Sequence, residues 1–379
     1  MPDLLRQEIA TAADTIVVKI GTRVLTGADG LLNQQRISTL AEELNQQMSG
    51  GRKVVLVSSG AVGAGMGRLG LSERPADLAH LQAVAAVGQS NLVESYDKAL
   101  AKHGRHAAQI LLTTDDMDNR VRYLNVRNTL VTLLEYGALP IINENDTVAV
   151  DELLNTFGDN DRLAAAVTNL LRAPLLILLT DVDGLYDGNP DDPDSKVLTT
   201  VTNIDDHVLH LAAPRASSVG KGGMASKLDA VRMATSAGEN VVIANGYQPG
   251  TLAQILAGEP VGTLFVAQGQ AVSSRKRWIG FTVQPRGRLH LDEGAVRAVH
   301  KQGRSLLPIG VISVDGEFEK GDVVSICDAT GVEFARGLTN YSAQEIQRLK
   351  GLSSQEIAVK FAQNPYDEVV HRDNLTLTR

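Results

Sequence analysis

The chain has 379 residues, 43% hydrophobic and 21% charged, with a formal net charge of −8. That length exceeds one ordinary core and predicts two domains, while the single cysteine, Cys327, excludes an intrachain disulfide and a cysteine-built metal cluster. The acidic excess lies in residues 1–274, and residues 275–379 carry only a slight basic excess, too small to mark a nucleic-acid binder on charge alone. No apolar stretch is long enough to span a bilayer. The opening residues, MPDLLRQEIATAAD, carry acids and lack the apolar centre of a secretory signal, so a cytoplasmic location with no membrane partner is expected. The eight histidines show no H-E-x-x-H or similar spacing.

Short Val/Ile/Leu runs at residues 15–20, 53–57, 109–112, 139–142, 175–180, 241–244 and 263–266 predict strands buried on both faces. Between them, Ile37, Leu40, Leu44 and Met48 recur at helical spacing, and Gly50-Gly51 closes that segment. Long helices are expected over 78–103 and 118–136, and a further pair over 162–171 and 226–237. The alternation predicts an α/β fold, a three-layer sandwich around a mostly parallel sheet. After residue 266 the pattern changes. Residues 267–280 begin with a polar stretch carrying Gly, Gln and Ser and are expected to form a linker. Short strands at 310–314, 322–327 and 332–337, punctuated by Asp315-Gly316 and Lys320-Gly321, then predict a small, mainly β, barrel-like module. The expected division is 1–266, 267–280 and 281–379.

Several segments could carry chemistry. Lys19 sits inside the run Thr15-Ile-Val-Val-Lys19-Ile, where a buried ammonium needs an anion, or else snorkels from a strand end. Gly21 behind it lets backbone N–H groups approach a phosphate. The run ending in Ser58-Ser59-Gly60-Ala61 places hydroxyls where a strand meets a helix, a position suited to an anion and equally to ordinary capping. Gly65-Met-Gly67-Arg-Leu-Gly70 matches the dinucleotide fingerprint G-x-G-x-x-G, but it starts well past the strand it should follow, which argues against a Rossmann dehydrogenase. Asn143-Glu144-Asn145-Asp146 follows a strand directly, and Gly158-Asp159-Asn160-Asp161 opens a helix. One such cluster is ordinary turn chemistry; two at element ends could grip the ammonium and carboxylate of an amino acid. Thr180-Asp181 ends another apolar run. The loop Gly220-Lys221-Gly222-Gly223-Met224-Ala225-Ser226-Lys227 is glycine-rich with two lysines and runs into a helix, suiting a phosphate site or a flexible connection; it is not a Walker A loop. Cys327 lies in an expected strand and reads as core.

These segments, in this order, resemble the amino-acid kinase family, and within it the glutamate 5-kinases. The resemblance rests on V-V-K-I-G-T, V-S-S-G-A, I-N-E-N-D, G-D-N-D, L-L-T-D-V-D-G-L-Y and G-G-M-A-S-K and covers nearly the whole chain from Thr15. The tail segments Ser305-Leu-Leu-Pro308-Ile-Gly310, Gly316-Glu-Phe318 and Gly321-Asp-Val-Val resemble the PUA domain, a module found in RNA-modifying proteins. The resemblance implies the amino-acid kinase fold and ATP-dependent phosphorylation of L-glutamate on its side-chain carboxylate, the first step of proline biosynthesis. It implies that Lys19 and Lys227 neutralise the transferring phosphoryl group and that Asp161 holds them. Ser59, Gly60, Asn143, Asp146 and Asn160 would bind glutamate. Lys19, Gly21, Thr180, Asp181 and the loop Lys221, Gly222, Gly223, Met224, Ala225, Ser226 and Lys227 would bind ATP, with Mg²⁺ carried by the nucleotide. It also implies inhibition by proline, a homo-oligomer (dimer or tetramer) and coupling to a reductase that consumes the glutamyl phosphate. Lys221 departs from the pattern, since a threonine is expected between those glycines.

A glutamate side chain has a reference pKa of about 4.3 and is already an anion near neutral pH, so its attack on phosphorus needs no general base. Catalysis would rest on alignment and charge stabilisation. The rival readings are a kinase for N-acetylglutamate, aspartate or carbamate, and an RNA-binding protein acting through the C-terminal module.

Overall fold

The computed structural model describes residues 3–27, 29–149, 159–190, 192–212, 223–268, 273–353, 355–357 and 366–378. The chain forms two compact units, residues 1–270 and 271–379.

The first unit is built on β1 (Thr15–Ile20), β2 (Lys53–Ser58), β3 (Ala107–Leu112), β4 (Leu139–Glu144), β5 (Leu175–Thr180), β6 (Thr200–Val201), β7 (Asn240–Asn245) and β8 (Thr263–Phe265). Their order is β3-β4-β2-β1-β5-β7-β8-β6, and every pairing is parallel except β7 with β8. The sheet is therefore the mostly parallel α/β layer that the sequence predicts. In register, Lys19 of β1 sits beside Val57 of β2 and Leu178 of β5. Because the chain winds outward from β1 in both directions, the carboxyl ends of β1, β2 and β5 border a topological switch point, where open α/β sheets place their ligands.

Side-chain alternation along β1 explains its unbroken apolar run. Ile16, Val18 and Ile20 enter one core with Leu40 and Leu44 of helix Gln34–Ser49, Leu92 and Tyr96 of helix Leu78–Ala101, and Leu252 of helix Thr251–Leu256. Each such side chain, fully removed from water, contributes about 1.5–3 kcal/mol. Val17 and Lys19 face the opposite side, where helix Asp159–Leu171 packs on β1 and β5.

The glycines of the G-x-G-x-x-G stretch serve packing. Gly65 and Gly67 lie inside helix Ala61–Leu69, and Gly70 ends it with φ 68°. A Cβ on Gly65 would stand 1.9 Å from the Val84 carbonyl oxygen, and one on Gly88 would stand 1.7 Å from that of Ala61. Helices Ala61–Leu69 and Leu78–Ala101 thus touch backbone to backbone, which fixes the end of β2 from which the first helix springs. The helix expected over 118–136 is Arg120–Glu135, started by Asn119, whose side chain accepts from the N–H groups of Val121 and Arg122; a short helix the sequence did not suggest, Thr114–Asp118, precedes it and is started by a Thr113–Asp116 capping box.

The second unit holds β9 (Gly287–Leu291), β10 (Val311–Gly316), β11 (Val323–Cys327), β12 (Glu333–Leu338) and β13 (Leu375–Leu377) in the order β10-β9-β11-β12-β13. β9 and β11 pair in parallel; the other neighbours are antiparallel. Leu289, Leu291, Val324, Ile326, Phe334 and Val370 are among its core residues. β9 and β13 escape the sequence reading because both are short and interleave Arg, His or Thr with leucine. The stretch expected as linker also differs: Ser274–Arg277 is helical and Trp278–Thr282 forms a π-helical turn. Trp278 and Ile279 are buried there, so apolar burial overrides the polar start of the segment. Cys327 is buried, as its strand position predicts. Among the described residues, no helix is long and apolar enough to cross a membrane.

Candidate active site

The first unit gathers polar side chains at the carboxyl ends of its central strands. Lys19 is 7% exposed at the end of β1. Its counterion is Asp161, 2% exposed in the first turn of helix Asp159–Leu171, with Lys19 Nζ 2.7 Å from Asp161 Oδ1. Lys227, in the first turns of helix Met224–Ser236, reaches the other oxygen: its Nζ lies 3.3 Å from Asp161 Oδ2. One carboxylate thus holds two ammonium groups side by side. Burial pushes the Asp161 carboxyl up, but the two lysines outweigh it and hold the group below the usual carboxylate range. A buried cluster carrying one more positive than negative charge is poised for an anion.

A chain of buried amides adjoins this triad. Asn160 Nδ2 donates to Ser59 Oγ at 2.9 Å and to Asn143 Oδ1 at 3.0 Å, and Asn143 Nδ2 donates to Gln89 Oε1 at 2.8 Å. Four elements are locked together: the end of β2, the end of β4, the start of helix Asp159–Leu171 and helix Leu78–Ala101, which carries Gln89. Gly60, with φ 106°, turns the chain sharply from β2 into helix Ala61–Leu69, a conformation that glycine adopts without penalty. No side chain caps that helix start, so its first N–H groups remain available to an anion.

Beside this network opens a cavity of about 450 Å³, lined by Gly60, Ala61, Asn143, Asp146, Asp29 and Arg74 among others. That volume suits a small metabolite. Burial pushes the Asp146 carboxyl up to about 6, against an opposing pull from Arg74.

On the other flank, Thr180 is buried at the end of β5, and its hydroxyl donates to Asp181 Oδ1 at 3.0 Å. Arg23 NH1 lies 2.7 Å from Asp181 Oδ2. Burial pushes the Asp181 carboxyl up, and the hydrogen bonds from Arg23 and Thr180 more than offset it, leaving it below the usual range. Gly21 donates its N–H to Leu179 O at 3.1 Å. Helix Met224–Ser236 begins at Gly223 with no side-chain cap, the second helix start here with N–H groups to offer. Met224, Ala225 and Ser226 form its first turn beside Lys227. Lys221 and Gly222, like Gly158, lie outside the described residues.

The structure therefore brings together Lys19, Asp161 and Lys227 as one group, Ser59, Asn143 and Asn160 as another, and Gly60 and Asp146 around the cavity. Three polar residues were missed. Gln89 carried a signal, being the one amide on the otherwise apolar face Leu81, Ala85, Gly88, Leu92 and Tyr96 of its helix. Arg23 and Arg74 carried none, since arginines in polar segments read as surface.

The sequence matches the family model described as the amino acid kinase family over residues 14–245, and that of the PUA domain over residues 287–360. It is 49% identical over 373 residues to the glutamate 5-kinase of Rhodopirellula baltica, covering 98% of this chain and 96% of that one. Against the glutamate 5-kinase of Gloeobacter violaceus it is 51% identical over 365 residues, covering 95% and 98%. Against that of Syntrophotalea carbinolica it is 46% identical over 376 residues, covering 99% and 100%. The fold, the paired lysines and this end-to-end similarity agree: the chain belongs to the amino acid kinase family, in its glutamate 5-kinase branch, with a C-terminal PUA domain.

Proposed function

We propose that this chain transfers the γ-phosphoryl group of ATP to the side-chain carboxylate of L-glutamate, giving L-glutamyl 5-phosphate and ADP. The observation that carries the reading is Asp161 held between Lys19 and Lys227, near a cavity whose lining includes Asn143 and Asp146. A carboxylate oxygen of the substrate forms the new bond to phosphorus, and the bond from phosphorus to the bridging oxygen of ADP breaks, with the electron pair leaving on ADP. The substrate is already an anion, so no proton has to be removed. The two lysines meet the charge that builds on the phosphoryl oxygens, in a pocket largely screened from water. Asp161 fixes their spacing and keeps them from repelling one another before the nucleotide arrives.

Asp146 would receive the substrate ammonium, while Ser59, Asn143 and Asn160 orient the carboxylate end and Gly60 offers its N–H. The uncapped start of helix Met224–Ser236 and Gly21 would meet the phosphates of ATP, with Thr180 and Asp181 bordering the nucleotide. Mg²⁺ would be brought by ATP and would offset part of the triphosphate charge; the nearby acids fit a metal carried by the nucleotide, because Asp161 is committed to two lysines and Asp181 to Arg23. In the same reading the protein works in the cytoplasm as a homo-oligomer, is inhibited by proline, and hands its labile acyl phosphate to a reductase.

The test is ADP release from Mg·ATP with hydroxylamine present to trap an acyl phosphate. Turnover with L-glutamate and none with N-acetylglutamate or aspartate is expected. Turnover only with a different acid would move the substrate, and no turnover with any acid would defeat the reading. Lys227→Ala should lower kcat by about 10²–10³, by analogy with losing one oxyanion donor.

A further inference from the structure

We propose that Arg74 binds the α-carboxylate of the amino-acid substrate and thereby selects for a substrate whose α-carboxylate is free. The inference rests on the reading of the cavity as the glutamate site. A glutamate molecule brings three charges into that cavity: an ammonium, an α-carboxylate and the side-chain carboxylate. The side-chain carboxylate must approach the lysine pair, and Asp146 is placed for the ammonium. The α-carboxylate shares a carbon with the ammonium, so its receptor must stand beside Asp146.

Among the described residues lining the cavity, Arg74 is the one cation. It makes no hydrogen bond or ion pair with any described residue, and its side chain is exposed at the rim. Its field nevertheless reaches Asp146, whose carboxyl it pulls down against burial. The other charged side chain on the wall, Asp29, is an acid and would repel a carboxylate. The helix start at Gly60 and Ala61 can offer neutral N–H groups, but those lie on the β2 side, next to the triad. A guanidinium presents two parallel N–H donors that match a carboxylate. Being exposed before binding, it loses little hydration until the substrate covers it. Substrates with the same side-chain carboxylate and a blocked α-carboxylate would meet an unpaired guanidinium and bind poorly.

The experiment is steady-state kinetics on the full chain, wild type against Arg74→Ala and Arg74→Lys, with L-glutamate and with L-isoglutamine. Isoglutamine keeps the side-chain carboxylate and replaces the α-carboxylate by an amide. In Arg74→Ala, KM for glutamate should rise about 10–100-fold, the size expected for a charged hydrogen bond, while kcat and KM for ATP move far less. The wild-type preference for glutamate over isoglutamine should shrink by a similar factor. Arg74→Lys, which keeps the charge and loses the fork, should fall between. An unchanged KM in Arg74→Ala, or an equal rise for both substrates, would overturn the proposal and leave the kinase reading standing. A wild type silent with glutamate would overturn both.

Discussion

Asp161 is the residue whose removal the structure makes most costly, and the cost should depend on what else supplies negative charge. Asp161→Asn keeps the shape and removes the charge. Two ammonium groups, at 2.7 and 3.3 Å from the former carboxylate oxygens, would then face each other with no counterion. Breaking a buried ion pair by deleting one partner costs about 3–5 kcal/mol, and in a unit of this size each kcal/mol lowers Tm by about 2–4 °C. A fall on the order of 10 °C is therefore expected without ligand. The triphosphate of ATP can supply the missing charge, so a non-hydrolysable ATP analogue with Mg²⁺ should raise Tm more in Asp161→Asn than in wild type. The pH dependence follows the same logic. The folded carboxyl titrates below its ordinary value, so its contribution is fully present above the unfolded value and disappears as pH falls through the folded one. Wild type and variant should converge in stability under acid. Thermal denaturation with and without the analogue reads all of this. Equal Tm values at neutral pH, or equal analogue-induced shifts, would refute the reasoning that Asp161 is the shared counterion.

Asp146 should show a trade between stability and binding. Its folded carboxyl is pushed up to about 6 by burial, so ionising it above that pH opposes folding, by up to about 2–3 kcal/mol at 1.36 kcal/mol per unit. Asp146→Asn should raise Tm at neutral pH while raising KM for glutamate at least tenfold; a destabilised variant with normal KM would contradict both assignments. In wild type, KM for glutamate should climb as pH drops through 6, because a protonated Asp146 no longer attracts an ammonium, and a KM flat between pH 7 and 5 would remove Asp146 from that role. Gly88→Ala, which drives a Cβ into the Ala61 carbonyl, should shift helix Ala61–Leu69 and lower both stability and glutamate affinity; denaturation and kinetics on the same sample would show whether the two losses go together.

Much of the fold was legible because the central parallel strands β1, β2, β4 and β5 are covered on both faces and so read as nearly continuous apolar runs. Lys19 stood out for the same reason: a charge inside such a run needs an anion. Asp161 carried no comparable signal of its own, since a Gly-Asp-Asn-Asp sequence reads as ordinary turn chemistry. Its burial between two lysines depends on helix Asp159–Leu171 and helix Met224–Ser236 meeting over the end of β1. Gln89 was half legible, an amide on a buried helical face with no visible partner until Asn143 arrived from β4.

Local periodicity, then, determined most strands, most helices and the change of character after residue 266, because hydrophobic pattern and turn chemistry are properties of neighbouring residues. Tertiary structure alone decided which charges share a site. Lys19, Asp161 and Lys227 are separated by 142 and 66 positions in sequence yet share one carboxylate, and the cavity joins Arg74 to Asp146 across two strands and the helices between them. Those meetings follow from strand order and helix packing, which sum contacts over the whole chain and which no local window contains.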